Sequence, residues 1–150
     1  MTDQLCYDDL RPGAVLTSAE SEPLSEDEIV AFARRFDPQP FHTDPQAARD
    51  TFFGRLVASG WHTAAITMRL MVDAMPFQGG LIGAGCDRLL WPRPVLPGDR
   101  LHVRCEVLEM RPSGSRPDQG LVKVRVTTLN QRGEAVQVVT PNMLLPRRQG

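Results

Sequence analysis

The chain has 150 residues, of which 41% are hydrophobic, and its 17 basic and 18 acidic residues give a formal net charge of −1. This length suits one domain over residues 1–150, and the balanced charge argues against a nucleic-acid partner or an anionic-membrane surface. No apolar run approaches the ~20 residues of a membrane span, and no charged start leads into an apolar segment, so a cytoplasmic protein is expected. The cysteines, Cys6, Cys86 and Cys105, lack a CxxC pair, which predicts reduced thiols rather than a zinc or redox site.

The first strong secondary-structure signal is a helix that begins after Ser25. The segment from Ser25 to Glu28 has the pattern of a capping box, in which the serine accepts from the backbone of Glu28. Apolar residues then recur at helical spacing as far as Phe36, and Pro38 disfavours the helical region for Asp37. The helix is therefore predicted to end at Asp37.

The next stretch, from Phe36 to Asp44, contains two prolines between a carboxylate and an imidazole. Each proline fixes its own φ and restricts the residue before it, which predicts an extended, stiff loop. An aspartate and a histidine held at a fixed separation can share a water molecule, which one deprotonates and the other orients. Asp37 and His42 are therefore candidate catalytic residues. The alternative is that Asp37 caps a turn and His42 is a hydrogen-bonded loop residue.

Two further helical segments are predicted downstream. Asp44 followed by proline is typical of a helix start and predicts a turn or two over residues 46–51. From Ser59-Gly60, apolar residues recur at helical spacing until Met75, where Pro76 follows. The wide apolar surface of this second helix predicts that it is buried.

The chain beyond Gly80 is predicted to form antiparallel strands. Apolar and polar residues alternate over 101–107 and 122–126, and residues 130–133 have the composition of a turn. Outer strands are expected over 81–90 and 134–145, and residues 111–120 are expected to form a long hairpin loop.

These elements predict an α+β fold in which a curved antiparallel sheet, with about five strands in meander order, wraps around a long central helix. Such a sheet leaves an exposed edge, a liability that pairing with a second copy removes. A homodimer or a higher homo-oligomer is therefore expected.

The motif from Asp37 to His42, followed by Asp44 and then by Phe53-Gly54 through Ala58-Ser59-Gly60, resembles the signature of the MaoC-like dehydratase family, which includes the (R)-specific enoyl-CoA hydratases. Residues 93–99 are similar to the family's Pro-Val-x-x-Gly-Asp turn. The resemblance implies a hotdog fold and a hydro-lyase that hydrates 2-enoyl-CoA thioesters or dehydrates 3-hydroxyacyl-CoA. It implies Asp37 as the principal acid/base and His42 as its partner. It also implies no metal and no cofactor, with coenzyme A entering only as part of the substrate.

The proposed chemistry gives a reason for a glycine at the start of the central helix. Addition of water to an enoyl thioester builds negative charge on the thioester oxygen, and backbone N–H groups at a helix N-terminus can stabilise that charge. Gly60 is therefore expected to allow a close approach by the substrate, although an ordinary helix start would also explain it. The other residues expected to contact the substrate are Ser59, Gln39, Phe41 and Trp61.

Three positions depart from the family pattern and leave the substrate class open. Gln39 stands where asparagine is usual, Ser59 where a histidine is common, and Ala65 where well-known hydratases carry a serine. Two alternatives therefore remain, a non-catalytic acyl-CoA-binding hotdog protein and a hotdog thioesterase. A thioesterase usually relies on a carboxylate of the central helix, where only Asp73 is available near the far end.

The remaining cationic side chains give weaker indications. His62, on the central helix, is expected to be a surface or hydrogen-bonded histidine rather than a catalytic one. Four arginines are candidates to meet the phosphates of coenzyme A, and none is favoured over the others. They are Arg55, Arg69, Arg88 and Arg93.

Overall fold

The computed structural model describes residues 4–148, in which one long helix packs against a five-stranded antiparallel sheet. The helices are α1 (Glu26–Phe36), α2 (Pro40–Thr43) and α3 (Gly60–Ala74). The strands are β1 (Val15–Thr17), β2 (Ile82–Leu90), β3 (His102–Pro112), β4 (Gln119–Leu129) and β5 (Ala135–Pro146). None of the helices in this part of the chain is long and apolar enough to span a membrane.

The strand order in the sheet is β1-β3-β4-β5-β2, so the predicted meander order is wrong for the first two strands. Only β3, β4 and β5 pair in sequence order, whereas β1 pairs with β3 and β2 pairs with β5. Alternating hydrophobicity identifies a strand but does not specify its partner. The predicted loop over 111–120 is also shorter, because β3 continues to Pro112 and β4 begins at Gln119.

The core lies between α3 and one face of the sheet. Alternate residues of a strand point to the same face, and the predicted inward sets of β3 and β4 are all at most 2% exposed. These sets are Val103, Cys105 and Val107 on β3, and Val122, Val124 and Val126 on β4. Leu70 and Met71 of α3 pack against them. Each square ångström of apolar surface buried in this way contributes about 25 cal/mol.

α3 is only partly covered, so the prediction of a buried helix is wrong for one side of it. Trp61, Met68 and Val72 are 58%, 48% and 48% exposed. β2, at the edge of the sheet, is also exposed along nearly all of its length. α3 therefore carries more apolar side chains than a single copy of the chain covers.

α1 begins and ends where predicted, but the extended loop expected after it is partly helical. The Oγ atom of Ser25 accepts from the N–H of Glu28 at 3.1 Å, and Asp37 is the C-terminal cap. Pro40 then opens α2, because proline suits the first position of a helix, where an N–H has no helical partner. His42 consequently lies on a helical turn.

Candidate active site

The end of α1 and the turn of α2 bring Asp37 and His42 together. The Oδ2 atom of Asp37 lies 3.4 Å from the Nε2 atom of His42, and the two side chains are 17% and 7% exposed. Asp37 follows the last residue of α1, and α2 turns the chain so that His42 faces it. Two groups that can transfer protons are therefore adjacent and largely withdrawn from bulk water.

A backbone contact on the other side of the imidazole sets the tautomer of His42. Its Nδ1 atom lies 2.7 Å from the carbonyl oxygen of Val57. A carbonyl oxygen can only accept a hydrogen bond, so Nδ1 carries a proton. In the neutral imidazole, Nε2 then presents a lone pair towards Asp37. The two facing acceptors are suited to share the protons of one water molecule.

The connecting segment 56–58 fixes the position of the Val57 carbonyl that contacts His42. The N–H of Val57 donates to the carbonyl of Phe41 at 3.0 Å, and the N–H of Ala58 donates to the carbonyl of Val95 at 2.9 Å. All three residues of the segment are at most 6% exposed. The position of His42 is thus tied to the loop that carries Val95.

The turn predicted over residues 93–99 fixes the loop that carries Val95. The Asp99 side chain, 3% exposed, accepts from the N–H of Leu96 at 2.9 Å and from the side-chain amide of Gln131 at 2.9 Å. Gly98 has a φ of 89°, in the left-handed region that favours glycine. The Gly-Asp pair therefore closes a turn that holds Val95 in place.

Both oxygens of the Asp37 carboxylate accept hydrogen bonds. The side-chain amide of Gln39 donates to Oδ1 at 2.5 Å, and the hydroxyl of Ser59 donates to Oδ2 at 2.7 Å. Burial raises the pKa of Asp37, but the hydrogen bonds from Ser59 and Gln39 and the nearby His42 outweigh it, so the pKa lies below its ordinary value. Asp37 is therefore ionised at neutral pH.

The first residue of α3 lies against a tryptophan ring. A Cβ atom at Gly60 would approach the indole of Trp91 to 2.7 Å, so this contact alone requires a glycine. The indole is fixed in turn, because its Nε1 donates to Oε1 of the buried Gln137 at 2.8 Å. Among residues 4–148, no acceptor binds the N–H of Gly60, which is the first of the helix.

A cavity of about 300 Å³ opens beside His42 and Gly60. The rest of its wall is mainly apolar and consists of Phe52, Phe53, Val57, Ala58, Thr63, Trp91, Pro92, Arg93, Pro94 and Val95. An apolar cleft with a few polar groups is typical of small-molecule sites. A larger depression of about 420 Å³ lies elsewhere, lined by strand residues such as Glu109 and Lys123. It has no histidine in its wall, whereas the wall of the smaller cavity includes His42, which contacts Asp37, so the smaller cavity is the candidate active site.

The structure groups most of the predicted site residues, but only His42 and Gly60 among them belong to the wall of the cavity. Asp37, His42, Gln39 and Ser59 form one cluster, and Gly60 lines the cavity next to it. Phe41 lies edge-on to the ring of His42, with 4.6 Å between the ring centroids. Trp61 is 58% exposed and contacts Trp91 instead of lining the cavity.

Several residues of the cavity wall were not predicted from the sequence. Phe53 lines it and belongs to the quoted signature, but it was not predicted to contact the substrate, and Trp91 lines it from a segment without a periodic pattern or a motif. Of the four candidate arginines, Arg93 is the one in the wall.

His62 is buried, so the expectation of a surface or hydrogen-bonded histidine is wrong. Its ring stacks on Phe32 of α1 with 4.5 Å between the centroids, and its Nδ1 is buried without a partner among the described residues. Burial lowers the pKa of His62, and Glu28 only partly opposes this. The packing of α1 on α3, which the sequence does not reveal, accounts for its position.

Comparisons with known proteins give concordant results. Residues 9–130 match the description "MaoC like domain". The crystal structure of the MaoC-like dehydratase from Rhodospirillum rubrum is 51% identical, with 97% of this chain and 99% of that chain covered and a TM-score of 0.92. The uncharacterized protein YdeM of Bacillus subtilis (strain 168) is 36% identical over 115 residues, which cover 75% of this chain and 79% of that protein. The R-hydratase PhaJ1 from Pseudomonas aeruginosa is 28% identical, with 97% and 88% covered and a TM-score of 0.76.

Proposed function

The chain belongs to the MaoC-like dehydratase family, and on that premise we propose that it hydrates 2-enoyl-CoA thioesters, or dehydrates 3-hydroxyacyl-CoA, at Asp37 and His42. The observation that carries the proposal is the 3.4 Å contact between these side chains at one end of a mainly apolar cavity. The similarity to an R-hydratase supports the same reaction class.

The reaction begins with a water molecule held between Oδ2 of Asp37 and Nε2 of His42. As the water oxygen bonds to C3 of the enoyl group, one of its protons passes to the pair. The electrons of the double bond move towards the thioester oxygen, and C2 then takes one proton from the pair. Asp37 serves as the principal acid/base, and His42 orients the water and shares the proton.

The N–H of Gly60 is proposed to donate to the thioester oxygen as that oxygen gains negative charge. It is the first N–H of α3, and Gly60 lines the cavity at the end of the helix where the dipole favours an anion. Losing one such donor typically costs about 3 kcal/mol of transition-state stabilisation. The proposed reaction is redox-neutral, so it requires no redox cofactor, and the mechanism assigns the stabilisation of the thioester oxygen to the N–H of Gly60 rather than to a metal.

A second copy of the chain is proposed to cover the exposed side of α3 and the β2 edge in a homodimer. Burial of three exposed apolar side chains of α3 would stabilise the dimer; they are Trp61, Met68 and Val72. Pairing along the edge strand β2 would also give hydrogen-bond partners to its unpaired backbone N–H and C=O groups. Sedimentation velocity at micromolar concentration measures the assembly, and a single monomeric species would contradict it.

The thioesterase alternative gains no support from the position of Asp73. This carboxylate is 54% exposed and pairs with Arg69 on the surface of α3. It is also absent from the wall of the cavity. No carboxylate of α3 is therefore placed to attack a thioester bound beside His42.

The loss of the conjugated enoyl absorbance with a short-chain enoyl-CoA tests the proposal. We expect Asp37→Asn and His42→Ala to lower kcat by about 10²- to 10⁴-fold, the range of a general acid–base contribution. Asp73→Asn makes the same chemical change at an exposed site and serves as the matched control, with turnover near wild type.

The other outcomes of this assay are equally informative. Wild-type turnover in both site variants would overturn the assignment of the pair. Release of free thiol in step with the loss of absorbance would indicate a thioesterase, because hydrolysis also removes the enoyl-thioester chromophore, whereas hydration leaves the thioester bond intact. Binding without turnover across a panel of chain lengths would indicate a non-catalytic acyl-CoA-binding protein.

A further inference from the structure

We infer that Ser59 is a positioning residue, whose hydroxyl fixes the oxygen of Asp37 that faces His42 and ties it to the first turn of α3. The inference deepens the proposed function and rests on it for its catalytic meaning. Ser59 was expected to contact the substrate, but the structure gives its hydroxyl two protein partners.

The hydrogen bonds of Ser59 have only one consistent set of directions. The residue is 0% exposed, and its Oγ atom accepts from the N–H of Trp61 at 3.2 Å. A backbone N–H can only donate, so the proton of the hydroxyl is free for Oδ2 of Asp37 at 2.7 Å. With its proton and one lone pair engaged, Ser59 acts on the reaction through Asp37.

The oxygen that Ser59 binds is the one that matters for the proposed chemistry. Oδ2 is also the atom 3.4 Å from Nε2 of His42, whereas Gln39 binds the opposite oxygen, Oδ1. The two donors on opposite oxygens prevent rotation of the carboxylate about its Cβ–Cγ bond. Ser59 therefore aims a remaining lone pair of Oδ2 at the water shared with His42.

The same hydroxyl caps α3, so a test must separate the cap from the positioning effect. Ser25 caps α1 in the same way, since its Oγ accepts from the N–H of Glu28, and it lies at the opposite end of α1 from Asp37. Ser25→Ala is therefore a matched control for the loss of a capping serine. Ser59→Gly removes the hydroxyl at a position where glycine is an acceptable cap, and Ser59→Thr retains a hydroxyl.

The kinetic test compares these variants in the enoyl-CoA assay. We expect Ser59→Ala and Ser59→Gly to lower kcat by about 10- to 100-fold, the effect of misplacing a reacting group, with KM nearly unchanged. The acidic limb of the pH profile should move to higher pH, because a donor that favours ionised Asp37 is lost. Ser59→Thr should restore both values, and Ser25→Ala should lower the melting temperature alone.

A second measurement does not depend on turnover. The carboxyl ¹³C resonance of Asp37, followed against pH, should titrate below its ordinary range in the wild type and at higher pH in Ser59→Gly. If this shift occurs in a protein without hydratase activity, the proposed function fails and the positioning of Asp37 stands. An unchanged titration and an unchanged pH profile in the folded Ser59→Gly variant would overturn the inference.

Discussion

The two ends of α3 lie near similar carboxylates and differ in what surrounds them. At the first turn, the Asp37 side chain is 17% exposed and accepts from both Gln39 and Ser59. Near the last turn, Asp73 is 54% exposed, and its only ion pair among the described residues is with Arg69, which is 81% exposed. An exposed pair of this kind contributes only about 0.3–0.5 kcal/mol, because water screens it. The carboxylate proposed to be catalytic thus differs from the exposed one in its withdrawal from water and in its directed donors, rather than in residue type.

The largest effect is expected from filling the space at the first turn of α3. Gly60→Ala places a methyl group 2.7 Å from the indole of Trp91, so the ring or the helix start must move. We expect a loss of about 1–3 kcal/mol in the free energy of unfolding, the usual cost of overpacking, together with a loss of activity. Chemical denaturation and the enoyl-CoA assay measure the two effects.

A double-mutant cycle with Trp91→Ala isolates this contact. The methyl group of Gly60→Ala should cost much less stability once the indole is absent, so the two substitutions should be non-additive. Strict additivity would mean that the contact with Trp91 does not explain the glycine.

A smaller effect is expected from Arg93, which lies between β2 and β3 and shares the cavity wall with Gly60 of α3. Arg93 lines the cavity, and its Nη1 is 3.6 Å from Oε2 of Glu134, whose Oε1 already accepts from Arg132 at 2.8 Å. Because this partner is distant and shared, the guanidinium can turn to an anionic group of the substrate. Arg93→Ala should raise KM for an acyl-CoA about 5- to 10-fold at unchanged kcat, the loss of one partly exposed charge-assisted hydrogen bond.

Arg69→Ala is the matched control, because Arg69 lies near the other end of α3 and pairs only with Asp73 among residues 4–148. It should leave both kinetic constants unchanged. An equal rise of KM in the two variants would show that general positive charge, rather than the position of Arg93, attracts the substrate.

The smallest effect is expected in the pH dependence of stability. The pKa of Asp37 is lowered in the folded chain, so its stabilisation is present above the unfolded pKa and is lost as the pH falls through the folded pKa. Below about pH 4, the wild type should therefore lose stability relative to Asp37→Asn, whose amide does not titrate in this range. Urea denaturation from pH 5 to pH 2.5 measures the difference, and parallel curves would contradict a lowered pKa.

Local signals in the sequence were sufficient for the boundaries of α1 and α3 and for the inward faces of the central strands, but they did not indicate the short helix α2. Ser25 and Ser59 cap the helices that they were predicted to start, and Val103 and Val124 lie in the core. These predictions depend on neighbouring residues alone. The placement of β2 beside β5 depends on contacts between distant segments, so alternation within the strand could not indicate it.

The residues of the candidate site also fall into those that a local motif predicted and those that depend on tertiary packing. The pair of Asp37 and His42 was predicted from a short motif, and its resemblance to a family signature added the link to Ser59 and Gly60. Of the partners that orient the pair, Gln39 is close in sequence, whereas Ser59 and the backbone carbonyl of Val57 are 22 and 15 residues from the groups that they contact. Trp91 reaches the cavity from a loop whose course is set by tertiary packing, so no local pattern could assign it.

The double use of the Ser59 hydroxyl limits how this chain can be engineered for heat resistance. Replacing a capping serine with aspartate is a common way to strengthen a helix, because the carboxylate favours the positive end of the helix dipole. At Ser25 the exchange concerns only the cap of α1. At Ser59 it would set a second negative charge against Asp37 and exchange the donor for a repelling group. Thermostability and catalysis would then be in direct conflict at a single side chain.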